Sequence, residues 1–468
     1  MAQILSFTGG LQNFTSSFLR RPDQLIRSIN VHGDNVGSLT ERLGYSQYGT
    51  HSDSTQIYGM HSYNDVSGGT NYLFRLVAGV LQYHNGSAWT NIQSGLNTTA
   101  RAEFRVFLDQ LFMVGEVGGT FLSSANIDGI TYSESTNLTS APNAKFVEVY
   151  KDRVYMANLD GFPDRFQFSS LPSTDATTIT WTSTNFERVY TNNGEEIMGM
   201  HTNKMLNELL LFKETSMHAW DTFRLRDAGN VGTTAHRSIK TLNFTTFFFN
   251  ADGVYAYSGS RPQLISRPIQ PWIDGIDQTK LGDVFAEEEG GKFYKLNVGS
   301  VTVEGKVYSN VELRYSISDN TWTVYSYADN FAVYAKHKVS GEVRVYGGTD
   351  DGDTHQFAHL DDAVYDDDGT AIASEFMFET DLGLPSERKK VGKALLYCTK
   401  PQNLTGRIRV RGEDWSANFS VDNDEQEINT VPNDGRFLQW HFSSSSAVTP
   451  FQFEGLTFVP TLTSSKYA

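Results

Sequence analysis

The chain has 468 residues, enough for two or three domains or for one large β domain with an appendage. Aromatic residues make up 13% of it, and Thr, Ser, Gly and Asn are abundant, which favours half-buried strands joined by tight turns. The net charge of −16 excludes a broad phosphate-binding surface, because duplex binding depends on Lys and Arg that displace counterions. A single cysteine, Cys398, excludes an internal disulfide and fits a reducing compartment.

Signals for secretion, membrane insertion and common enzyme chemistry are missing from the sequence. The first residues, MAQILSFTGG, lack the basic segment and apolar core of a signal peptide. No run of 18 apolar residues is found, so we expect no transmembrane helix. The patterns G-x-S-x-G, P-loop, H-E-x-x-H and C-x-x-C are also missing. We therefore predict a protein that is not an enzyme and that has no cofactor and no metal site.

Residues 1–50 do not show a regular strand pattern. They contain the irregular segment RRPDQLIRSINVHGDNVGSLTERLGY and predict an extended N-terminal arm, which packs across the rest of the chain or onto a neighbouring molecule. The arm carries one of two basic clusters, Arg20 and Arg21. We predict these two arginines as candidate subunit contacts, with an ordinary solvated surface as the alternative.

Short apolar strands separated by polar turns dominate the chain between residues 51 and 371. For example, AEFRVFL is followed by LFMV after Asp109-Gln110, and KFVEVY is followed by RVYMA after Lys151-Asp152. Groups of three or four strands recur about every 40–50 residues, so about seven groups fit. This period predicts an all-β fold with a β-propeller of about six to seven degenerate blades over residues 51–375. A stack of β-sandwich domains is the alternative.

Two turns in this region come near known site motifs. Ser316–Trp322 (SISDNTW) approaches the Asp-box of sialidases but lacks the glycine, so we interpret it as a hairpin with a packed tryptophan. A glycosidase would also need two carboxylates that flank one bond, and the sequence pairs none. Thr349–Phe357 (TDDGDTHQF) alternates oxygen ligands that would suit Ca²⁺ but has no closing glutamate, so we interpret it as a solvated turn.

The stretch YDDDGTAIASEFMFETDLGLPSERKKVG marks a change in the pattern. Eight aspartates and no Lys or Arg lie between residues 347 and 374, which suits the solvated turns of a last blade. The second basic cluster, Arg388, Lys389 and Lys390, follows, and we predict it as a candidate subunit contact with acidic turns of another copy, with an ordinary solvated surface as the alternative. Later strands such as KALLYC and RIRVR lack the blade spacing. We therefore predict a separate C-terminal β-sandwich over residues 376–468.

Three stretches, taken in chain order, resemble one protein family. The first runs from Gly9-Gly10 through Asn30 and Gly37 to ERLGY, and the second is the set of strand pairs with two-residue turns. The third is the acidic turn DDDGTAI, a strand ending in Thr380, the loop DLGLP and the basic cluster, with PFQFEGLTFVP as a last strand. In this order they resemble the tail nozzle (tail hub, or tubular) proteins of short-tailed bacteriophages, which are β-propellers with extra β domains.

The resemblance implies a structural role in the virion tail. Copies would form a homo-oligomeric ring, commonly of six, below the portal and adaptor proteins, with tail fibre or spike proteins as further partners. The ring would enclose the channel for genome ejection, and an acidic wall would let DNA pass without binding it. Assembly would take place in the host cytoplasm. No functional residue is carried over, because the family has no catalytic site.

Two other functions remain open from the sequence alone. The first is a glycan-binding or depolymerising propeller for recognition of a host receptor. The second is a decoration protein of the head surface or of a head vertex.

Overall fold

The computed structural model consists mainly of short antiparallel β-strands. The described residues are 2–4, 6–16, 19–33, 37–65, 69–134, 140–173, 179–190, 194–359, 362–380, 389–400, 404–429, 437–446 and 450–462. Within these ranges, helices are limited to α1 (Gln270–Asp274) and the 3₁₀ helices His236–Ser238, Arg267–Ile269 and Gln278–Asp283. The predicted all-β fold class is therefore confirmed. None of the described helices is long and apolar enough to cross a membrane.

Seven small antiparallel sheets follow one another along the chain. The N-terminal strands that precede them are β1 (Ala2–Ile4), β2 (Leu25–Ile29), β3 (Val31–Gly33), β4 (Leu39–Glu41) and β5 (Tyr45–Gln47). Sheet 1 contains β6 (Ile57–Asp65), β7 (Thr70–Val77), β8 (Val80–His84) and β9 (Trp89–Gln93). Sheet 2 contains β10 (Arg101–Phe107), β11 (Gln110–Val117), β12 (Thr120–Phe121), β13 (Ala125–Asp128) and β14 (Thr131–Glu134). Sheet 3 contains β15 (Ala144–Tyr150), β16 (Arg153–Leu159), β17 (Phe162–Phe168) and β18 (Phe186–Arg188).

The remaining four sheets continue in the same up-and-down order. Sheet 4 contains β19 (Gly199–Asn203), β20 (Glu208–Phe212), β21 (Met217–Trp220) and β22 (Leu225–Gly229). Sheet 5 contains β23 (Lys240–Leu242), β24 (Thr245–Asn250), β25 (Gly253–Tyr257) and β26 (Gln263–Leu264). Sheet 6 contains β27 (Phe285–Glu289), β28 (Phe293–Val303), β29 (Lys306–Ser316) and β30 (Thr321–Ser326). Sheet 7 contains β31 (Phe331–Val339), β32 (Glu342–Thr349), β33 (Thr354–Phe357) and the N-terminal strand β5.

Tight two-residue turns build the hairpins in these sheets. In sheet 2, Phe107 pairs with Gln110, so the turn is Leu108-Asp109, one residue earlier than the turn predicted from the sequence. Both turn residues have positive φ, at 48° and 62°. Two positive φ values match the twist of the flanking strands, which is why this turn type suits a two-residue hairpin.

Each pair of consecutive sheets encloses its own apolar core. Leu76 of sheet 1 and Phe104 of sheet 2 belong to one buried cluster, and similar clusters join each later sheet to the next. Ile57 of sheet 1 and Val333 of sheet 7 belong to another cluster, so the last sheet packs against the first. The first strands of sheets 7 and 1, β31 and β6, are also in contact.

The fourth strand of sheet 7 comes from the other end of the sequence. Tyr45 in β5 pairs with Phe357 in β33, and its ring is fully buried against Phe331 with 5.2 Å between ring centroids. Because β5 lies immediately before sheet 1, it ties the start of this region to its end.

Two further sheets form the C-terminal part. Their strands are β34 (Asp366–Asp367), β35 (Thr370–Thr380), β36 (Lys389–Lys400), β37 (Leu404–Val410), β38 (Phe419–Val421), β39 (Glu425–Ile428), β40 (Leu438–Ser446) and β41 (Gln452–Leu462). Sheet 8 joins β1, β3 and β4 to β41, β36 and β39, whereas sheet 9 joins β2 to β35, β40, β37 and β38. The short strand β34 pairs with both β5 and β35, so sheets 7 and 9 are parts of one continuous ten-stranded sheet. Side chains from both sheets, including Leu396, Phe453, Phe378 and Trp440, share one buried cluster. The predicted domain boundaries at residues 50 and 375 stay predictions, although the N-terminal strands pair into sheets 7, 8 and 9.

Candidate functional site

A cleft lies between sheet 6 and sheet 9. Its volume is about 770 Å³. One wall is formed by Lys306–Ser309 at the start of β29, and the other by Thr370–Glu375 of β35 together with Ser443–Ser445 of β40. The lining combines hydroxyl-bearing residues such as Ser309 and Thr370 with apolar residues such as Val307 and Ile372. The cleft lies beside the stretch in which the sequence changes from blade spacing to the C-terminal pattern.

A buried ion pair between Arg42 and Asp367 lies at the edge of this cleft. Nη1 and Nη2 of Arg42 donate to the two carboxylate oxygens of Asp367 at 2.7 and 2.6 Å, and the side chains are only 2% and 4% exposed. Arg42 also donates to Oδ1 of Asn30 and to the carbonyl of Ser326, and its guanidinium lies 4.4 Å from the ring centre of Tyr327. The pair joins the N-terminal segment, sheet 6 and the turn before β35, and we call it the clasp.

The clasp corrects one sequence expectation. The aspartates between residues 347 and 374 were expected to lie in solvated turns, but Asp367 is buried and paired. An isolated charge in the interior is costly, and a bidentate guanidinium offsets that cost. Arg42 lies in the sequence ERLGY, and its partner is 325 residues away, so no local pattern indicates the contact.

Glu41 adds a second acidic group to the buried side of the clasp. It is 3% exposed and contacts the hydroxyl group of Ser374. Burial raises the pKa of Glu41 to about 8; Arg42 opposes this rise, and the charge of Asp367 adds to it. Glu41 therefore holds a proton at pH values at which an exposed glutamate is ionised.

The pKa of Glu375 in β35 is shifted in the opposite direction to that of Glu41. Nε2 of His441 lies 3.2 Å from its carboxylate, and Arg27 and Lys306 lie at 3.9 and 3.6 Å. Burial alone would raise the pKa of Glu375, but the hydrogen bond from His441 and the two cationic neighbours hold it at about 2. This carboxylate is thus ionised across the physiological range.

The two arginines predicted as subunit contacts in the N-terminal segment differ in their surroundings. Arg20 is half-buried, donates to the carbonyl groups of Gln12 and Thr15, and lies 3.8 Å from Glu379. Arg21 is exposed and pairs with its near neighbour Asp23.

The second predicted cluster lies at the start of sheet 8. Arg388 lies outside the described residues. Lys389 and Lys390 begin β36 and pair with Leu462 and Thr461 of β41. Their role as subunit contacts stays a prediction.

Charged side chains from the first strands of several sheets converge on one another. Arg105 of β10 lies 3.1 Å from Glu148 of β15, and His201 of β19 lies 3.6 Å from the same carboxylate. Lys240 of β23 pairs with Glu287 of β27 at 3.1 Å. Opposite charges therefore compensate one another where these strands meet.

Two histidines among these charges, His61 of β6 and His201, are neutral. Burial, supported by the nearby charge of Arg105, lowers the pKa of His61 to about 3. Burial also lowers the pKa of His201 to about 3, although Glu148 opposes it. A neutral imidazole is the form that ligates metals, but the described residues contain no group of three His, Cys, Asp or Glu side chains placed to hold an ion.

The two turns with motif-like sequences have structural contacts of their own. Trp322 of SISDNTW is 1% exposed and donates from its indole nitrogen to the carbonyl of Ile265, which agrees with the hairpin interpretation. In TDDGDTHQF, the carboxylate of Asp351 accepts from Thr349, and that of Asp353 accepts from Gln47 and lies 2.5 Å from His51. These aspartates therefore serve side-chain contacts within the turn and its neighbours.

Comparison with known proteins adds no assignment. No family model matches the chain, and no curated protein matches it with significant sequence similarity.

Proposed function

We propose that the chain is a structural protein of a bacteriophage virion, a nozzle or hub subunit of a short tail with no enzymatic activity. Copies form a ring, with six as the expected number, below the portal and adaptor proteins. The ring encloses the path of the ejected DNA and offers attachment to tail fibre or spike proteins. The protein is assembled in the host cytoplasm and resides in the virion tail.

One architectural observation carries this proposal. Seven small sheets each share a buried core with the next, and sheet 7 shares one with sheet 1. We propose that they are the blades of a seven-bladed β-propeller, in which radial packing protects most strand edges. The N-terminal strands and the C-terminal sheets then form the additional β module. This order of parts is the one that the resemblance to nozzle proteins implies.

The charge of the chain is consistent with a conduit for DNA. A net charge of −16 repels phosphates over about one Debye length, roughly 8 Å at physiological ionic strength. DNA would therefore slide past such a wall without being held by it.

Two measurements on the natural particle and the purified chain test the proposal. Mass spectrometry of purified virions should detect the chain, and cryo-electron microscopy should place a ring of it at the tail, between the portal complex and the fibres. Native mass spectrometry of the purified chain should show a closed oligomer of defined stoichiometry. Particles that lack the chain would end the proposal, and so would its placement on the head, which would assign it to the decoration proteins.

The cleft favours one alternative function, a glycan-binding or depolymerising protein for host recognition. Hydroxyl groups of Ser309, Thr370 and Thr405 line it, and saccharides are recognised by such polar groups in a concave site. Ala373→Trp would fill the cleft and should abolish binding to a host polysaccharide on a glycan array. Ala363→Trp, at an exposed position outside the cleft, is the matched control. Equal binding by wild type and Ala373→Trp, or no binding and no cleavage by the wild type, would exclude this function for the cleft.

A further inference from the structure

Two arginines of β37 lie on the outer face of sheet 9, where they alternate along the strand with buried residues. Arg407 and Arg409 lie in β37, where Ile408 and Val410 between and beyond them are buried in the core shared with sheet 8. Because side chains alternate along a strand, the two arginines point away from that core. Residues two apart in an antiparallel strand are separated by about 6.8 Å, so the guanidinium groups form a short row.

An imidazole, an amide and an indole ring hold the row in place. Nε of Arg407 donates to Nδ1 of His441 at 3.3 Å, and Nε of Arg409 donates to Oε1 of Gln439 at 2.7 Å. The ring of Trp415 lies 4.7 and 4.3 Å from the two guanidinium carbons. Within the described ranges, no carboxylate lies within 4.0 Å of either arginine. Their Nη groups are therefore held in place without an acidic partner.

Neighbouring cations strengthen the positive charge of this face. Arg20 and Arg411 each lie 3.8 Å from Glu379, so two arginines share one carboxylate. Burial and then the charge of Arg407 lower the pKa of Arg409, as expected where like charges face one another. A concentration of arginines on a chain with a net charge of −16 calls for an anionic partner.

A complementary acidic patch lies at the other end of β35. The acidic patch consists of Asp350, Asp351, Asp353, Asp366 and Asp368. Gln47 connects its two turns, because its side chain donates to Asp353 at 3.0 Å and its backbone N–H donates to Asp368 at 3.3 Å. Apart from His51 beside Asp353, no basic side chain in the described part of the chain lies within 4.0 Å of these carboxylates.

The acidic patch and the arginine row of one molecule cannot meet. Asp368 precedes β35, whereas the arginine row lies beside Met377 and Glu379 in the ladder that joins β35, β40 and β37. About ten residues of strand separate the two sites, which corresponds to roughly 34 Å. Opposite charges at opposite ends of one rigid strand fit a contact between two molecules.

We propose that the arginine row of one copy docks on the acidic patch of the next, head to tail. The proposal rests on the ring of the proposed function and names the surfaces that would close it. A heterologous contact of this kind closes into a ring or extends into a filament, since each copy offers one surface of each type. Arginine suits the role because its planar fork binds carboxylates in pairs.

Charge reversal on each surface tests the contact. Arg407→Glu with Arg409→Glu should weaken association between copies by roughly tenfold or more, measured by native mass spectrometry and sedimentation. Asp350→Arg with Asp351→Arg should do the same. A chain with all four changes should assemble again, because complementarity is restored on both surfaces. Arg261→Glu with Lys338→Glu, at exposed positions elsewhere, controls for the change in net charge.

The outcomes separate this contact from the proposed function. Assembly of the Arg407→Glu, Arg409→Glu chain at wild-type strength would overturn the contact and leave the nozzle function standing. A wild-type chain that stays monomeric at all concentrations tested would also overturn it. The function falls instead if virions lack the chain. Fluorescence anisotropy with labelled DNA tests nucleic acid as the alternative anionic partner. If the wild type binds DNA, and the Arg407→Glu, Arg409→Glu chain loses this binding but assembles normally, then the arginine row binds nucleic acid and the proposed contact is overturned.

Discussion

Arg42 and Asp367 are opposite charges that folding removes from water together. Each satisfies the other through two hydrogen bonds, so the loss of one partner leaves the other buried without compensation. We expect Asp367→Asn to lower the free energy of unfolding by about 3–5 kcal/mol, measured by urea denaturation. The neighbouring Asp368→Asn, at an exposed position, should change it by about 0.5 kcal/mol or less.

The double variant Arg42→Met, Asp367→Leu sharpens this test. If the cost of Asp367→Asn comes from an uncompensated charge, replacing both partners with apolar groups should recover most of the lost stability. A double variant that is as unstable as Asp367→Asn would show instead that the hydrogen bonds from Arg42 to Asn30 and Ser326 matter more than the charge balance of the clasp.

The raised pKa of Glu41 predicts that the stability of the folded chain changes with pH. Its folded pKa of about 8 lies above the ordinary value of 4.5, so the folded chain holds a proton that the unfolded chain releases between these two values. The free energy of unfolding therefore falls as the pH rises from about 4.5 to 8 and is constant above that range. We expect Glu41→Gln to be more stable than wild type by about 2–4 kcal/mol at pH 9 and equally stable at about pH 4.

Thermal and urea unfolding across this pH range measure the effect of Glu41. Glu425→Gln, which changes an exposed carboxyl group of β39, should leave the pH profile of the wild type unchanged. A constant stability difference between Glu41→Gln and wild type at every pH would contradict the raised pKa.

At the scale of elements, strand β5 ties together parts of the chain that lie far apart in sequence. Ser46 is opposite Gln356. Two residues to either side, Gly44 accepts a backbone hydrogen bond from Ala358 and Tyr48 donates one to Thr354. A proline at position 46 removes a backbone donor in the middle of this pairing. We expect Ser46→Pro to lower the free energy of unfolding by about 3 kcal/mol and to expose residues near the N-terminus to limited proteolysis.

Ser46→Ala is the matched control, because it keeps the backbone N–H and removes only the exposed hydroxyl group. Its unfolding midpoint and its proteolysis pattern should match those of the wild type. If Ser46→Pro matches the wild type as well, β5 does not hold sheet 7 together in solution.

Local elements could be predicted from the sequence, and distant pairings could not. The hairpin of β15 and β16 follows from two apolar runs and the turn Lys151-Asp152, all within 16 residues. In contrast, Tyr45 pairs with Phe357 and Ser28 with Phe376, and no periodic signal marks a three-residue or five-residue strand whose partner is more than 300 residues away. The N-terminal segment was therefore expected to be an arm.

The candidate site was hidden for the same physical reason. A cleft between sheets 6 and 9 depends on contacts between residues such as Arg27 and Glu304, which are far apart along the chain. The acidic turns and the strand RIRVR were visible as sequence patterns, but their placement at opposite ends of one sheet requires the register of β35, β40 and β37.

At the scale of the whole molecule, assembly must work against a net charge of −16 on every copy. Repulsion between whole copies and attraction between local patches both weaken as salt is added, but close pairs are screened less than distant charges. The salt dependence of ring assembly therefore shows which effect dominates, the attraction between local charge pairs or the repulsion between the net charges of the copies.

The basic cluster Arg388, Lys389 and Lys390 gives the last prediction. If it meets acidic turns of another copy, replacing all three residues with Ser should weaken ring assembly most at low ionic strength, because salt already weakens such pairs in the wild type. The change also shifts the net charge from −16 to −19. Lys151, Lys292 and Lys338, which are exposed on other sheets, can be replaced with Ser as a control with the same net charge. A ring as stable at low salt as that of the control variant would remove the cluster from the interface and leave the arginine row of sheet 9 as its basic side.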